Sequence, residues 1–368
     1  MNFEDLNDLI NCENKKITIT EDINLENETS IVINTDDLVI DGNNHTIDGE
    51  DKIFHFVNNS LNLIIKNVEF KNFKAPFLMM LLKNNKSISF INCKFIDFDC
   101  EYGIISNKGN VTIDNCDFIN NSGIIHENYG NMKIIYSNFK NNYSDYTKAI
   151  CKNFEDSTLL ISNSIFSENF TKGDGLIHNK GVSRITDCNF HDNLARNNDI
   201  CVIFNDKGVL TIDRCNFNNN RNEFCTNDYG RYFVSILNNS GNVSLKNSIF
   251  ESENRGYGKS ICNAGCLNII GCSFKDSQIL NLGFEDSIPN LTDESDKYCL
   301  KIEKSQFNDK NHIIIRNVNS CKIISCDINE NDISNEDEII ISSDDLKKLE
   351  ESNGKINNEF ESSRIVIY

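Results

Sequence analysis

Apolar and polar residues alternate in short bursts along this chain, and one burst keeps returning. Its clearest form is Val111-Thr-Ile-Asp-Asn-Cys-Asp-Phe-Ile-Asn-Asn121. The pattern is apolar, any, Ile, two polar residues, Cys, any, Phe, any, then Asn or Asp. Copies run from Leu63 to Lys310, with a divergent one at Leu38 and another at Cys321–Asn331, where Ile328 takes the aromatic slot. That slot otherwise holds Phe70, Phe95, Phe118, Phe139, Phe166, Phe190, Phe217, Phe250, Phe274 and Phe307, spaced 21 to 33 residues apart. A period of this length marks a solenoid whose coils vary by insertion.

The first and third positions of each copy are apolar, the mark of a half-buried strand. The Cys and Phe slots alternate in the same way. A second apolar run precedes many copies, as in Gly103-Ile-Ile-Ser, Gly175-Leu-Ile-His and Cys201-Val-Ile-Phe. Each coil then holds about three short strands and no room for a helix. This predicts an all-β fold, a right-handed parallel β-helix of about twelve coils. At roughly 4.8 Å per coil it would be a rod about 58 Å long.

The turn before each copy fits. Four residues upstream of the first slot stand Asn59, Asn84, Asn107, Asn128, Asn179, Asn239, Asn263 and Asn317, with Asp206 and Asp296 in two more coils and Glu155 as the exception. Gly109, Gly130, Gly181, Gly208, Gly241 and Gly265 follow two residues later. Asn tolerates left-handed φ and Gly takes it freely, so an Asn-x-Gly corner is expected to turn every coil alike. Stacked corners would let the amides bond along the stack.

Three segments follow: an N-terminal cap over residues 1–16, the β-helix over 17–342, and a C-terminal cap over 343–368. Phe3, Leu6, Leu9 and Ile10 share one helical face, so a short amphipathic helix is expected to plug the first coil. Ser343-Asp-Asp-Leu-Lys-Lys-Leu reads as a helix start, and Ser363-Arg-Ile-Val-Ile-Tyr as a last strand covering the open edge.

The opening Leu38-Val-Ile-Asp-Gly-Asn-Asn, followed by many Cys-x-Phe-x-Asn-Asn coils, resembles the pectin-lyase-like right-handed β-helix superfamily. More narrowly, it resembles the Asn-, Ile- and Lys-rich adhesin-like proteins of methanogenic archaea. The resemblance covers roughly residues 15–342. It implies the solenoid and a cell-surface or secreted protein. The residues themselves offer no signal peptide, anchor or membrane-length apolar run, and so read as cytoplasmic as written. The longest apolar run, Ala75–Leu82, has eight residues and falls in register as a strand.

Fifteen cysteines raise the question of disulfides or zinc. Cys93, Cys116, Cys188, Cys215, Cys272 and Cys326 share one repeat slot with Val68, Ser137, Ser164, Ser248 and Ser305. A slot open to Cys, Ser and Val is a small inward position. The formal net charge of −19 argues against nucleic acid or an anionic membrane as partner through bulk charge.

Three coils are long, with their excess in Lys140–Thr158, Asn218–Asn242 and Lys275–Cys299, all after the Phe slot. Loops on one corner of a solenoid often carry binding. Tyr143, Tyr146, Arg221, Glu223, Asp228, Tyr229, Arg231 and Tyr232 are therefore the candidate binding residues. The tyrosines matter because the chain has no Trp for a sugar platform. Asp293, Glu294 and Asp296 are oxygen donors for a Ca²⁺, without the spacing of a calcium loop; no other cofactor or metal is expected.

No catalytic motif is found. Asp114, Arg184, Asp187, Asp213, Arg214 and Lys246 fall on outward slots, with Asp187 and Arg214 placed to pair. His126 and His178 end what read as equivalent strands. Three readings stand. The first is a non-catalytic, adhesin-like or structural β-helix binding glycan or a cell-surface protein. The second is a divergent polysaccharide lyase or glycoside hydrolase. The third is a self-assembling rod.

Overall fold

The computed structural model describes residues 3–10, 15–25, 29–74, 82–100, 103–123, 125–144, 149–195, 202–222, 235–251, 259–275, 277–281, 300–308, 315–317, 321–326, 333–335, 339–341 and 366–367. Its strands stack in parallel register into a β-helix. One coil shows the plan. A leading strand, Ile105–Asn107, turns into a second strand, Asn110–Asp114; an aromatic strand, Asp117–Ile119, follows, then a short strand, Ser122–Gly123. Each lies on its counterpart one coil away: Ile105 pairs His126, Val111 pairs Met132, Phe118 pairs Phe139 and Ser122 pairs Tyr143. Leading and second strands share one continuous sheet, aromatic strands form a 12-stranded sheet, and short strands a six-stranded one. The phenylalanine column from Phe70 to Phe307 spans about nine turns, slightly fewer than the sequence count.

Alternation puts every second residue inside. Val111, Ile113, Cys116 and Phe118 are each at most 2% exposed. The Phe slot is a continuous stack with ring centroids 4.5–5.4 Å apart between neighbouring coils. The Cys/Ser slot is likewise inward. Its heteroatoms accept amide N–H groups from the coil before: Cys93 N donates to Cys116 Sγ at 3.4 Å, and Cys116 N to Ser137 Oγ at 3.1 Å. The cysteines of that slot are free thiols. Burial pushes the Cys272 thiol up to about 11, which keeps it protonated and inert.

The amide ladder exists, but one step away from where the fixed offset placed it in several coils. The bonded series is Asn58, Asn84, Asn107, Asn128, Asn153, Asn179, Asn205, Asn238, Asn263 and Asn281. Each Nδ2 donates to the next Oδ1 at 2.6–2.9 Å. Asn58, Asn205 and Asn238 replace the expected Asn59, Asp206 and Asn239, and Asn153 supplies the coil where Glu155 looked like an exception. The corner there is one or two residues longer, so counting back from the strand overshoots. The expected Asp296 lies outside the described residues, and Asn317 sits in register with Asn281.

The reason given for the Asn-x-Gly corner also needs correction. Neither its Asn nor its Gly takes left-handed φ, although Asn62, Asp156, Lys207 and Ser240 do so in its longer forms; left-handed backbone recurs most regularly at two other corners, one residue per coil at each. One column is Asn67, Asn92, Asn115, Tyr136, Asn163, Asp187, Arg214 and Asn247; the other is Asn72, Asp97, Asn120, Asn141, Glu168, Asp192 and Asn219, all with φ near +55°. The ladder glycines answer a different need. A Cβ on Gly109 would sit 1.9 Å from the Lys86 carbonyl oxygen of the coil below, so only glycine lets the coils approach there.

A second amide ladder was not foreseen. Asn121, Asn142, Asn169, Asn193 and Asn220 each donate from Nδ2 to a Phe carbonyl of the previous coil, and along the stack to one another at 2.8–3.0 Å.

The N-terminal helix spans Phe3–Ile10 and buries Leu6 and Ile10 against the first coil. Thr35 Oγ1 donates to the Ile10 carbonyl at 3.3 Å and ties down its end. At the other end Val366–Ile367 pairs with Ile340 and Ile341. The helix expected near 343–351 lies outside the described residues.

Two stability predictions follow from the inward columns. Phe190→Ala should cost about 3–5 kcal/mol in denaturant titration, because the stack above and below cannot close over the void. Asn205→Leu should cost roughly 1–3 kcal/mol, since it strands the amides of Asn179 and Asn238. Asn239→Ala, one residue beyond the ladder, should cost clearly less in the same titration.

Candidate functional site

Of the candidate binding residues, the structure describes Tyr143 and Arg221; Tyr146, Glu223, Asp228, Tyr229, Arg231 and Tyr232 lie outside the described residues. So do Asp293, Glu294 and Asp296, the Ca²⁺ candidates. Tyr143 and Arg221 occupy the same position of the short-strand sheet. The outward column runs Asp99, Ser122, Tyr143, Phe170, Leu194, Arg221 on successive coils. Three rungs separate Tyr143 from Arg221, or about 14 Å. In sequence, two of the three long segments continue from these strands, after Ser144 and after Asn222.

The geometry changes what Tyr143 offers. Its ring lies parallel to Phe170, centroids 5.4 Å apart at 4°, and Lys172 Nζ sits 5.2 Å from its centroid. A ring stacked along the rod axis turns its faces to its neighbours and its edge to solvent. The column is thus not a flat platform for a sugar ring. It is a half-buried strip of ring edges, which carry the positive side of the aromatic quadrupole and favour oxygen acceptors. Arg221 at one end and Lys172 beside Tyr143 add cationic donors.

A second outward cluster lies at the corner between leading and second strands, where sequence reasoning had only scattered residues. Glu127, Lys152, His178 and Phe204 form one column, and Tyr129, Phe154, Lys180 and Asp206 run beside it. Tyr129 and Phe154 stack at 4.0 Å, and Lys152 Nζ lies 5.2 Å from the Phe154 centroid. Burial holds the Glu127 carboxyl above its ordinary range, and the Tyr129 hydroxyl donates to it at 3.1 Å. Burial and that same carboxylate push Tyr129 up to about 12. His178 Nδ1 meets Asp174 Oδ2 at 2.8 Å, and its Nε2 lies 3.9 Å from Asp206, which also pairs with Lys180 at 3.2 Å. Phe204 stacks on the His178 ring at 4.7 Å.

The two histidines are not equivalent, contrary to expectation. His126 registers with Ile105 and Cys151 on the inward side; His178 registers with Lys152 and Phe204 on the outward side. His126 is 1% exposed, stands edge-on to Phe118 and Phe139, and has neither ring nitrogen hydrogen-bonded. Burial lowers its pKa to about 3, so the folded protein keeps it neutral.

The anticipated pair between Asp187 and Arg214 is present and bidentate, with Nε to Oδ1 at 2.7 Å and Nη2 to Oδ2 at 2.8 Å; Arg214 also contacts Asp213 through Nη1. The guanidinium holds the Asp187 carboxyl below its usual range. Both side chains are well exposed, so the pair fixes the corner more than it stabilises the fold.

His126 gives a pH prediction. The unfolded chain takes a proton there near pH 6.5, while the folded chain resists until about pH 3. Below 6.5 the unfolded state binds the extra proton, so stability falls with pH. The advantage of His126→Leu over wild type should grow by about 1.4 kcal/mol per pH unit across that window. Urea titrations at pH 7, 6, 5 and 4 check it. No protein-family model matches the chain, and no curated protein matches its sequence.

Proposed function

We propose that the protein is a non-catalytic, adhesin-like β-helix that holds a glycan or a surface protein along one edge of its stack. The observation that carries this reading is the outward column Tyr143–Phe170–Leu194–Arg221, with Lys172 beside it. Ring edges and cations supply donors for hydroxyl and carboxylate oxygens. The inward columns contribute the rigid backing that such a surface needs. The resemblance to adhesin-like β-helices points the same way.

A second reading, a divergent polysaccharide lyase or glycoside hydrolase, draws on Glu127, Lys152 and His178. An acid, a cation and an Asp-held imidazole stand there on three successive coils. Two facts weigh against it. The His178 side chain is 6% exposed, and its free nitrogen faces Asp206 instead of open space. Lys152 rests over Phe154, turned from the column.

Labelled protein on a glycan array and on a panel of surface proteins should bind at least one class. Arg221→Ala should weaken that binding about tenfold without moving the melting temperature, and Tyr143→Ala should weaken it about as much with a modest fall in melting temperature from the lost stacking on Phe170. Incubation with the bound glycans should release neither 4,5-unsaturated products nor reducing ends. Turnover abolished by His178→Ala would reverse the order of the two readings. Binding indifferent to both column substitutions would remove the proposed edge.

A further inference from the structure

The second strands present an outward face with a distinct composition. From Asn110–Asp114 to Ile236–Lys246 it displays, coil by coil, Asn110, Thr112, Asp114; Asn131, Lys133, Ile135; Thr158, Leu160, Ser162; Val182, Arg184, Thr186; Val209, Thr211, Asp213; Asn242, Ser244, Lys246. Leu160 is 40% exposed, Val182 50% and Val209 44%, on three successive coils. The face carries three cations and two acids in a chain whose net charge is −19. Here, unlike the chain at large, a second acidic rod meets no excess of like charge.

The charges are also ordered. Across a twofold axis lying in the face, between the strands Thr158–Ser162 and Val182–Thr186, each coil meets the one equally far on the other side. Asp114 then faces Lys246. Thr158 faces Val182, Leu160 faces the stem of Arg184, and Lys133 meets the coil bearing Thr211 and Asp213. Each contact occurs twice, as an isologous interface requires.

We propose that this face is where a second copy of the chain docks, antiparallel, around the exposed Leu160 and its diagonal neighbours Val182 and Val209. Its size sets the strength. Six rungs by five residues outline a patch roughly 29 by 17 Å, below the ~800 Å² per partner of a standard interface. The dimer is therefore weak and concentration-dependent, with a dissociation constant in the range of about 1–100 µM.

Light scattering of the full chain across about 1–500 µM decides it. The mass should climb from 42.0 kDa towards twice that value. Asp114→Lys and Lys246→Glu should each raise the dissociation constant at least about fivefold, and the double variant should restore it within about twofold, since the swapped pair still attracts. Val182→Asp should abolish the dimer while far-UV circular dichroism stays unchanged. Should Val182→Asp fail to fold, the charge swap still decides, because Asp114 and Lys246 lie on the surface. A mass fixed at 42.0 kDa, or a dimer indifferent to the charge reversals, overturns the proposal.

Discussion

Parallel in-register stacking is the constraint on which the rest of this molecule depends. In the described strands a side chain has its counterpart directly above and below, about 4.8 Å away. A position can persist through many coils only if its residue tolerates a copy of itself. An amide does, because it carries a donor and an acceptor; hence the buried asparagine ladders on two corners. A phenyl ring does, face to face. A thiol or hydroxyl does, by accepting the neighbouring amide N–H. A charge does so only at a cost, and several outward columns change sign between neighbouring coils: Asp41 with Lys66, Glu69 with Lys94, Asp187 with Arg214, Glu251 with Lys275; Lys301 over Lys322 is an exception.

The same constraint explains the composition. Asparagine serves two unrelated needs here. Inside, it is the self-complementary ladder residue. Outside, it is the residue that best accepts the left-handed backbone of two corners per coil, at Asn115 and Asn120 for example. Where other residues take that conformation, as Tyr136, Glu168 and Arg214 do, the stacked strands on either side hold them there.

This double use limited the reading from sequence. The strands, the Phe column, the small Cys/Ser slot and the helical plug were legible, because period-two alternation and a recurring aromatic fix which residues face inward. The ladder register was not. Asn58 and Asn59, or Asn238 and Asn239, are adjacent and chemically identical, and only the backbone decides which one points inside. His126 and His178 posed the same problem. A one-residue slip in register turns an inward ring against phenylalanine into an outward ring between carboxylates. The setting of Tyr143 was not legible either, because only the stacking of its ring on Phe170 along the axis decides that its faces are hidden.

What the sequence determined by itself was the winding: its repeat period and alternation admit a stack of short parallel strands and little else. The tertiary structure alone decided the surface. Which residues share an outward column depends on the length of every corner before them, and a corner longer by one residue shifts its neighbours relative to the coil below. The column joining Tyr143 to Arg221, and the exposed apolar patch of Leu160 beside the Val182–Val209 column, are set by that registration and by nothing local in the chain.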